Sequence, residues 1–131
     1  MNPEAMNESL RGPLADLLGI RFVDTSADRI VAELTIRDDL RTVGGGLHGG
    51  TLMAFADTVG AAATIVNLPA GASTTTLESK TNFFAAGRGG IVRAESTPLH
   101  RGKRTMVWQT RVTDDTGRLL SLTIQTQMVL T

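Results

Sequence analysis

The second half of the chain alternates between apolar and polar residues in four runs that short turns separate. In the last run one face is mostly apolar, and the other carries Ser121, Thr123, Gln125 and Gln127. Such alternation is typical of an antiparallel strand whose apolar face is buried. The pattern therefore predicts four strands, at residues 73–84, 91–99, 105–114 and 118–130.

The first half of the chain predicts helices and a glycine-rich loop. Residues 13–18 predict a helical turn that Gly19 ends, and residues 20–24 and 29–36 predict a first strand interrupted by a polar bend. Glycines at 44–46, 49 and 50 lead into a helix that begins near Thr51. This order predicts an α+β fold, in which an antiparallel sheet of five to six strands wraps around one long central helix.

The predicted helix at residues 51–66 is apolar or small nearly all round. A helix covered on one side only should keep a charged stripe, so we expect a second copy of the chain to cover the other side through a two-fold interface. The alternative is that an alanine-rich helix tolerates exposure. The segment is shorter than the roughly 20 residues of a membrane span and contains Asp57, which favours a buried helix.

Length and composition limit the possible functions. The 131 residues suit a single domain, residues 1–131, of which residues 1–13 are expected to be flexible. Thirteen basic and thirteen acidic side chains give no net charge, which argues against nucleic acid or a membrane surface as a partner. The absence of cysteine excludes disulfides and a thiol nucleophile, and two distant histidines make a metal site unexpected. Residues 1–11 lack the pattern of a secretory signal, so the expected location is the cytoplasm.

Asp57 is the only charged side chain between His48 and Glu78. A buried carboxylate is costly unless hydrogen bonds or a partner charge offset the loss of water. Two interpretations are open. Asp57 bonds a nearby hydroxyl in a structural network, the candidates being Thr58, Thr64 and the threonines at 74–76, or it performs chemistry.

The glycine-rich run at residues 44–50 favours chemistry. Glycines at a helix start leave backbone amides free to point at a ligand, with the positive end of the helix dipole behind them. Such amides can form an oxyanion hole, and acyl transfer also needs a carboxylate that attacks or activates water. Asp57 lies about 10 Å along the helix from Gly50 at ~1.5 Å per residue, too far for one carbonyl. Antiparallel helices across a dimer axis would bring Asp57 of one chain to the Gly49 amide of the other.

These residues resemble a known family. His48-Gly49-Gly50, followed by residues 52–56, Asp57 and Thr58, is similar to the signature of hotdog-fold thioesterases of the PaaI type, close to the 4-hydroxybenzoyl-CoA thioesterase group. Residues 98–104, residues 107–109 and the strand after Gly117-Arg118 extend the similarity, from about Leu14 to the C-terminus. The resemblance implies a hotdog fold and an acyl-CoA thioesterase that works as a homodimer or homotetramer. Coenzyme A would be part of the substrate, and no cofactor is expected.

The resemblance also implies roles for individual residues. Asp57 would be the nucleophile or general base, the Gly49 amide would polarise the thioester carbonyl, and His48 would steady the loop. Thr42 stands where relatives commonly have Asn or Gln near the thioester. Thr75 or Thr76 would hold the attacking water, depending on the strand register.

The turn at residues 100–104 supplies candidate contacts for the phosphates of coenzyme A. They are Arg101, Gly102, Lys103 and Arg104, with Arg88 in the preceding turn as a further candidate. Cations at a turn are otherwise simply solvated.

Two rival functions stay open from the sequence. A hotdog hydratase or dehydratase would need an aspartate-to-histidine motif and a histidine followed by Phe-Pro, which the chain lacks. A noncatalytic acyl-CoA binding or sensing domain is compatible with Thr42, although Asp57 argues against it. The acyl group is undetermined, because the candidate lining residues could equally be core: Met53, Phe55, Phe83, Phe84 and Met106.

Overall fold

The computed structural model describes all residues, 1–131. It contains three α-helices: α1 (Pro3–Ser9), α2 (Pro13–Leu18) and α3 (Gly49–Asn67). A short 3-10 helix lies at Asp38–Leu40. The six strands are β1 (Arg21–Ser26), β2 (Arg29–Thr35), β3 (Ser73–Phe83), β4 (Ile91–Arg101), β5 (Thr105–Thr113) and β6 (Leu119–Leu130). The four strands predicted in the second half of the chain are confirmed, with small shifts at their ends.

The six strands form one antiparallel sheet in the order β1-β2-β4-β5-β6-β3. Helix α3 packs on one face of this sheet and contacts every strand. Phe55 of α3 and Trp108 of β5 are both fully buried between them, and burying an apolar side chain of this size contributes about 1.5–3 kcal/mol. The expected hotdog arrangement, a sheet around one long helix, is confirmed.

Helix α3 is the only long apolar segment. By length and composition alone it could cross a membrane, with a mean hydropathy of 1.3. Its sheet-facing residues, which include Leu52, Val59 and Ala63, are buried in the core. The prediction of a buried core helix is confirmed.

The prediction of one interrupted first strand is wrong. β1 and β2 form a hairpin, because residues 27 and 28 make a two-residue turn and Ser26 pairs with Arg29. Arg29 also bridges Asp24 and Glu95, each at 2.8 Å, which ties the hairpin to β4. A short polar bend was enough to reverse the chain.

Residues 1–13, expected to be flexible, contain a helix that contacts β1. Residues 3–9 form α1, whose first turn is capped by the Asn2 side chain accepting from the Ala5 amide at 2.8 Å. Met6 is fully buried, and the Asn7 side chain exchanges two hydrogen bonds with the Phe22 backbone, at 2.8 and 3.0 Å. One buried methionine and one paired asparagine hold the segment on β1.

The faces of β6 are reversed relative to the sequence prediction. The polar residues Ser121, Thr123, Gln125 and Gln127 lie beneath α3 and are almost completely buried. Their apolar neighbours Leu122, Ile124, Met128 and Leu130 lie on the outer face and are partly exposed. Helix α3 packs closely on this polar face, since a Cβ built on Gly60 would overlap the side-chain oxygen of Gln125.

Candidate active site

Asp57 lies half-buried on α3 and accepts hydrogen bonds from two strands. The Gln125 Nε2 donates to its Oδ1 at 2.9 Å. The single Thr76 hydroxyl hydrogen is shared between the same Asp57 oxygen, at 3.4 Å, and Gln127 Oε1, at 2.5 Å. Burial raises the pKa of Asp57, and the Thr76 hydrogen bond opposes that rise. A carboxylate with a raised pKa is a better proton acceptor than an ordinary aspartate.

The strand register decides between the two threonines of β3. Thr76 pairs with Gln127 and shares its buried face, whereas Thr75 pairs with Met128 on the outer face of the sheet. Thr75 therefore points away from Asp57 and does not join the site. The helix threonines Thr58 and Thr64 are also uninvolved, because they donate to the carbonyls of Ala54 and Gly60 within α3.

Sequence reasoning missed the two glutamines behind Asp57. Gln127 Oε1 accepts from the Thr76 hydroxyl at 2.5 Å and from Gln125 Nε2 at 2.8 Å, and Gln127 Nε2 donates to the Thr74 hydroxyl at 3.0 Å. Asp57 therefore rests on a buried amide and hydroxyl network. The available signal was the glycine at position 60 in an otherwise strong helix, which leaves room for a large side chain below.

The loop before α3 leaves one backbone amide free. His48 caps the helix: its Nδ1 accepts from the Gly50 amide at 2.7 Å, and its carbonyl accepts from the amides of Thr51 and Leu52 at 2.9 and 3.2 Å. Of the first four helical amides, only that of Gly49 has no partner in the chain. This arrangement fits the expected roles, with His48 bracing the loop and Gly49 presenting an N–H.

Phe83 stands beside this free amide. A Cβ built on Gly49 would lie 3.3 Å from the Phe83 ring, which is itself 50% exposed. Thr42 lies in the exposed turn that precedes the helix, where its amide donates to the Gly46 carbonyl at 2.8 Å. The Thr42 hydroxyl makes no hydrogen bond within the chain, so the structure places it near the helix entrance without tying it to Asp57.

Gly49 and Asp57 are both half-buried positions of α3, one at its first turn and the other near its middle. The exposed or half-buried stripe of α3 carries Gly50, Met53, Asp57, Ala61 and Ile65, with Asp57 at its edge, where its carboxylate still reaches β6 and β3. The eight residues from Gly49 to Asp57 span about 12 Å along the helix. One thioester carbonyl therefore cannot contact both groups of the same chain.

A mainly apolar groove runs beside Asp57. It has a volume of about 290 Å³ and lies between α3 and the segment around α2. Asp57 is the only charged residue in its lining, which otherwise comprises Leu10, Gly12, Pro13, Leu14, Ala15, Thr58, Ala61, Ala62 and Ile65. Of the residues suspected of lining an acyl pocket, Phe55 belongs to the core, and Met106 is a core residue that also borders a cavity at the C-terminal end of α3.

The candidate cations lie at opposite ends of α3. Arg101, Gly102 and Lys103 border a cavity of about 600 Å³ beside Asn67, at the C-terminal end. Arg101 is partly engaged there, donating to Asp28 at 2.8 Å.

The other two cations do not share that cavity. Arg104 is exposed and outside its lining, and Arg88 lies at the N-terminal end, donating to the Gly44 carbonyl at 3.4 Å. Within one chain these cations do not converge, and none contacts Asp57. No group of three or more His, Cys, Asp or Glu residues could hold a metal ion.

The chain matches known proteins along most of its length. Residues 44–121 match the family model described as Thioesterase superfamily. A 1,4-dihydroxy-2-naphthoyl-CoA hydrolase of Escherichia coli K12 is 32% identical over 116 residues, which are 88% of this chain and 85% of that protein. A mutant thioesterase from Pseudomonas aeruginosa superposes with a TM-score of 0.94 at 27% identity, covering 99% of this chain and 94% of that one. The PaaI protein of the E. coli phenylacetic acid degradation operon gives a TM-score of 0.88 at 23% identity, covering 99% and 91%.

These matches identify the family. The chain belongs to the thioesterase superfamily, and its fold is the hotdog fold of those enzymes. It is accordingly an enzyme of the thioester hydrolase class. The family resemblance inferred from residues 48–58 is confirmed. The match to the PaaI protein shows that the two chains share a fold.

Proposed function

We propose that this protein hydrolyses the thioester of an acyl- or aryl-CoA to the free acid and coenzyme A, at a site shared between two chains. The observation that carries the proposal is the joint presence on α3 of an unpaired Gly49 amide and a half-buried Asp57. An oxyanion donor and a carboxylate are the two groups that acyl transfer requires.

A two-fold axis near Met53 would bring these groups together. Met53 is midway between Gly49 and Asp57, so two α3 helices that cross antiparallel at this residue place each Asp57 beside the Gly49 of the other chain. The exposed or half-buried stripe of α3 is largely apolar at this point, and Met53 is 40% exposed. Pairing would bury that surface and create two equivalent sites.

The reaction at each site follows from these two groups. The ionised Asp57 either attacks the thioester carbonyl or removes a proton from a water molecule that attacks it. The Gly49 N–H then stabilises the oxyanion, and the C–S bond breaks. Coenzyme A leaves as a thiolate that takes up a proton. If water attacked, the acyl group is released directly as the acid. If Asp57 attacked, the acyl group stays on Asp57 as a mixed anhydride, which a water molecule hydrolyses to the acid and the free carboxylate.

The same pairing offers a location for the coenzyme A phosphates. With the axis near Met53, residue 67 of the second chain lies about 15 Å beyond the start of the first α3. The turn at residues 100–104 of one chain would thus approach Arg88 of the other. We propose that these cations together bind the phosphates, although they are separate within a single chain.

Location and assembly complete the proposal. We expect a cytoplasmic enzyme, and the partly apolar outer face of β6, with Leu122, Ile124 and Met128, supports the further pairing of dimers into a tetramer. The groove beside Asp57 supports an apolar acyl group. Its volume of about 290 Å³ admits both aromatic and aliphatic candidates.

The test is release of free thiol from a panel of aromatic and aliphatic acyl-CoA esters. We expect turnover by the native protein and a fall of at least ~100-fold in Asp57→Asn. Asp24→Asn is the control, because Asp24 lies on β1, outside the site, where it pairs with Arg29 of β2. This variant should keep the native rate. Tight binding of every ester without turnover would instead favour the acyl-CoA binding function.

A further inference from the structure

We propose that Gln125 is a positioning residue, which orients the Asp57 carboxylate and stabilises its ionised form. This inference rests on the proposed function, because it assigns Gln125 a part in the same site. The Gln125 Nε2 lies 2.9 Å from Asp57 Oδ1 and 3.2 Å from the Asp57 carbonyl oxygen. The Thr76 hydroxyl is the weaker partner, since its oxygen is 3.4 Å from Asp57 Oδ1 and only 2.5 Å from Gln127 Oε1.

The direction of the network determines which end of the Gln125 amide faces Asp57. The Thr74 hydroxyl donates to the Met128 carbonyl at 2.8 Å, so its oxygen accepts from Gln127 Nε2 at 3.0 Å. The Gln127 oxygen must then face Gln125, whose nitrogen donates to it at 2.8 Å. Both Gln125 hydrogens are thereby directed to acceptors, one of them to Asp57. The bond from the Thr74 hydroxyl to the Met128 carbonyl therefore determines that Gln125 presents its nitrogen, and not its oxygen, to Asp57.

Burial makes this orientation firm. Gln125 is 0% exposed and Gln127 is 1% exposed, and hydrogen bonds in such surroundings are strong. The Gln125 oxygen has no partner in the chain, so its amide is held in place through its nitrogen. Gly60 supplies the room, because a Cβ at that position would overlap the Gln125 oxygen.

No charged side chain of the same chain competes with Gln125 for control of Asp57. α3 carries no other charged residue. On β3, Glu78 and Lys80 pair with Thr126 and Ile124 on the outer face of the sheet.

The groups on the remaining neighbouring elements are also neutral or paired. Beside α2, Arg11 and Asp16 form an ion pair with each other at 2.8 Å. The side chains of β6 that face Asp57 are the two neutral glutamines. Within the chain, hydrogen bonding and burial therefore set the protonation of Asp57.

The test is a titration of the Asp57 carboxyl carbon by NMR, in the native protein and in Gln125→Met. Methionine keeps the size of glutamine but donates no hydrogen bond, and losing a donor to the charged form raises the pKa of a carboxyl group. We expect the midpoint to rise by about one pH unit. The acid limb of kcat/KM should move in the same direction, with a larger effect on kcat than on KM.

Two further variants separate positioning from general disruption. Thr74→Val breaks the far end of the network without touching Asp57, and it should raise the midpoint by a smaller amount. Thr110→Val, buried beneath α3 but outside the network, should leave the midpoint unchanged. An unchanged midpoint in folded Gln125→Met, or an equal rise in Thr110→Val, would overturn the inference. The titration needs no substrate, so its result stands even if the native protein hydrolyses no ester.

Discussion

The side-chain nitrogen of Gln125 donates a hydrogen bond of 2.9 Å to the Oδ1 of Asp57. This contact joins the only charged residue of α3 to the buried face of β6, and it depends on a glycine one turn further along the helix. The helix, the strand and the carboxylate are therefore structurally coupled, and mutations in any of them should affect the others.

The first prediction concerns Gly60→Ala. Alanine normally stabilises a helix interior by roughly 0.5–1 kcal/mol over glycine. Here the added methyl would overlap Gln125, which cannot move freely because it is fully buried. We expect the free energy of unfolding to fall by about 1–3 kcal/mol, as for other overpacked cores. Urea unfolding measures this free energy. Gly89→Ala is the matched control, because a Cβ at position 89 meets open space.

The second prediction concerns the pH dependence of stability. Burial raises the pKa of Asp57 above its ordinary value of 3.8, so between the two values the folded protein binds more protons there than the unfolded chain does. The stabilisation from this group is then fully present below the ordinary value and is lost as pH rises through the folded value. Asn at this position does not titrate. We expect the free energy of unfolding of Asp57→Asn, relative to that of the native protein, to increase from about pH 3 to about pH 7. Urea unfolding of both proteins at the two pH values measures this difference. A decrease would contradict the account.

The third prediction isolates the Gly49 N–H. Gly49→Pro removes that hydrogen at the first helical position, where proline is well tolerated. His48 before it already has the extended conformation that proline prefers, with φ −60° and ψ 136°. We expect thioester turnover to fall by about 10²–10³, the loss typical of an oxyanion donor.

Gly49→Ala is the matched control for this variant. It places a carbon against the same Phe83 ring at 3.3 Å but keeps the N–H. Equal losses of turnover in the two variants would attribute the effect to crowding of Phe83 and not to the hydrogen bond.

The sequence predicted the parts of the site that carry local signals. A lone aspartate in an apolar helix and a run of glycines before it are visible without a structure, and they led to Asp57 and Gly49. The αL cap at Gly19, with φ +75°, was visible for the same reason.

The remaining features depend on tertiary structure. Alternation along β6 shows that the strand has two different faces but not which face is buried. The polar face is buried because its side chains fit against α3 and hydrogen-bond there. The choice between Thr75 and Thr76 depended on pairing with β6, and the register of β3 shifts at a bulge after Thr76. Helix α1 was missed because Met6 is its only fully buried anchor.

The central claim is that each active site combines Gly49 of one chain with Asp57 of another, and subunit complementation tests it most directly. Gly49→Pro and Asp57→Asn chains, each inactive alone, are unfolded together, refolded as a mixture and assayed for thiol release. Random pairing makes half of the dimers mixed, and each mixed dimer has one intact site. The account therefore predicts recovery of about a quarter of native activity. No recovery from a mixture shown to contain mixed dimers would contradict it.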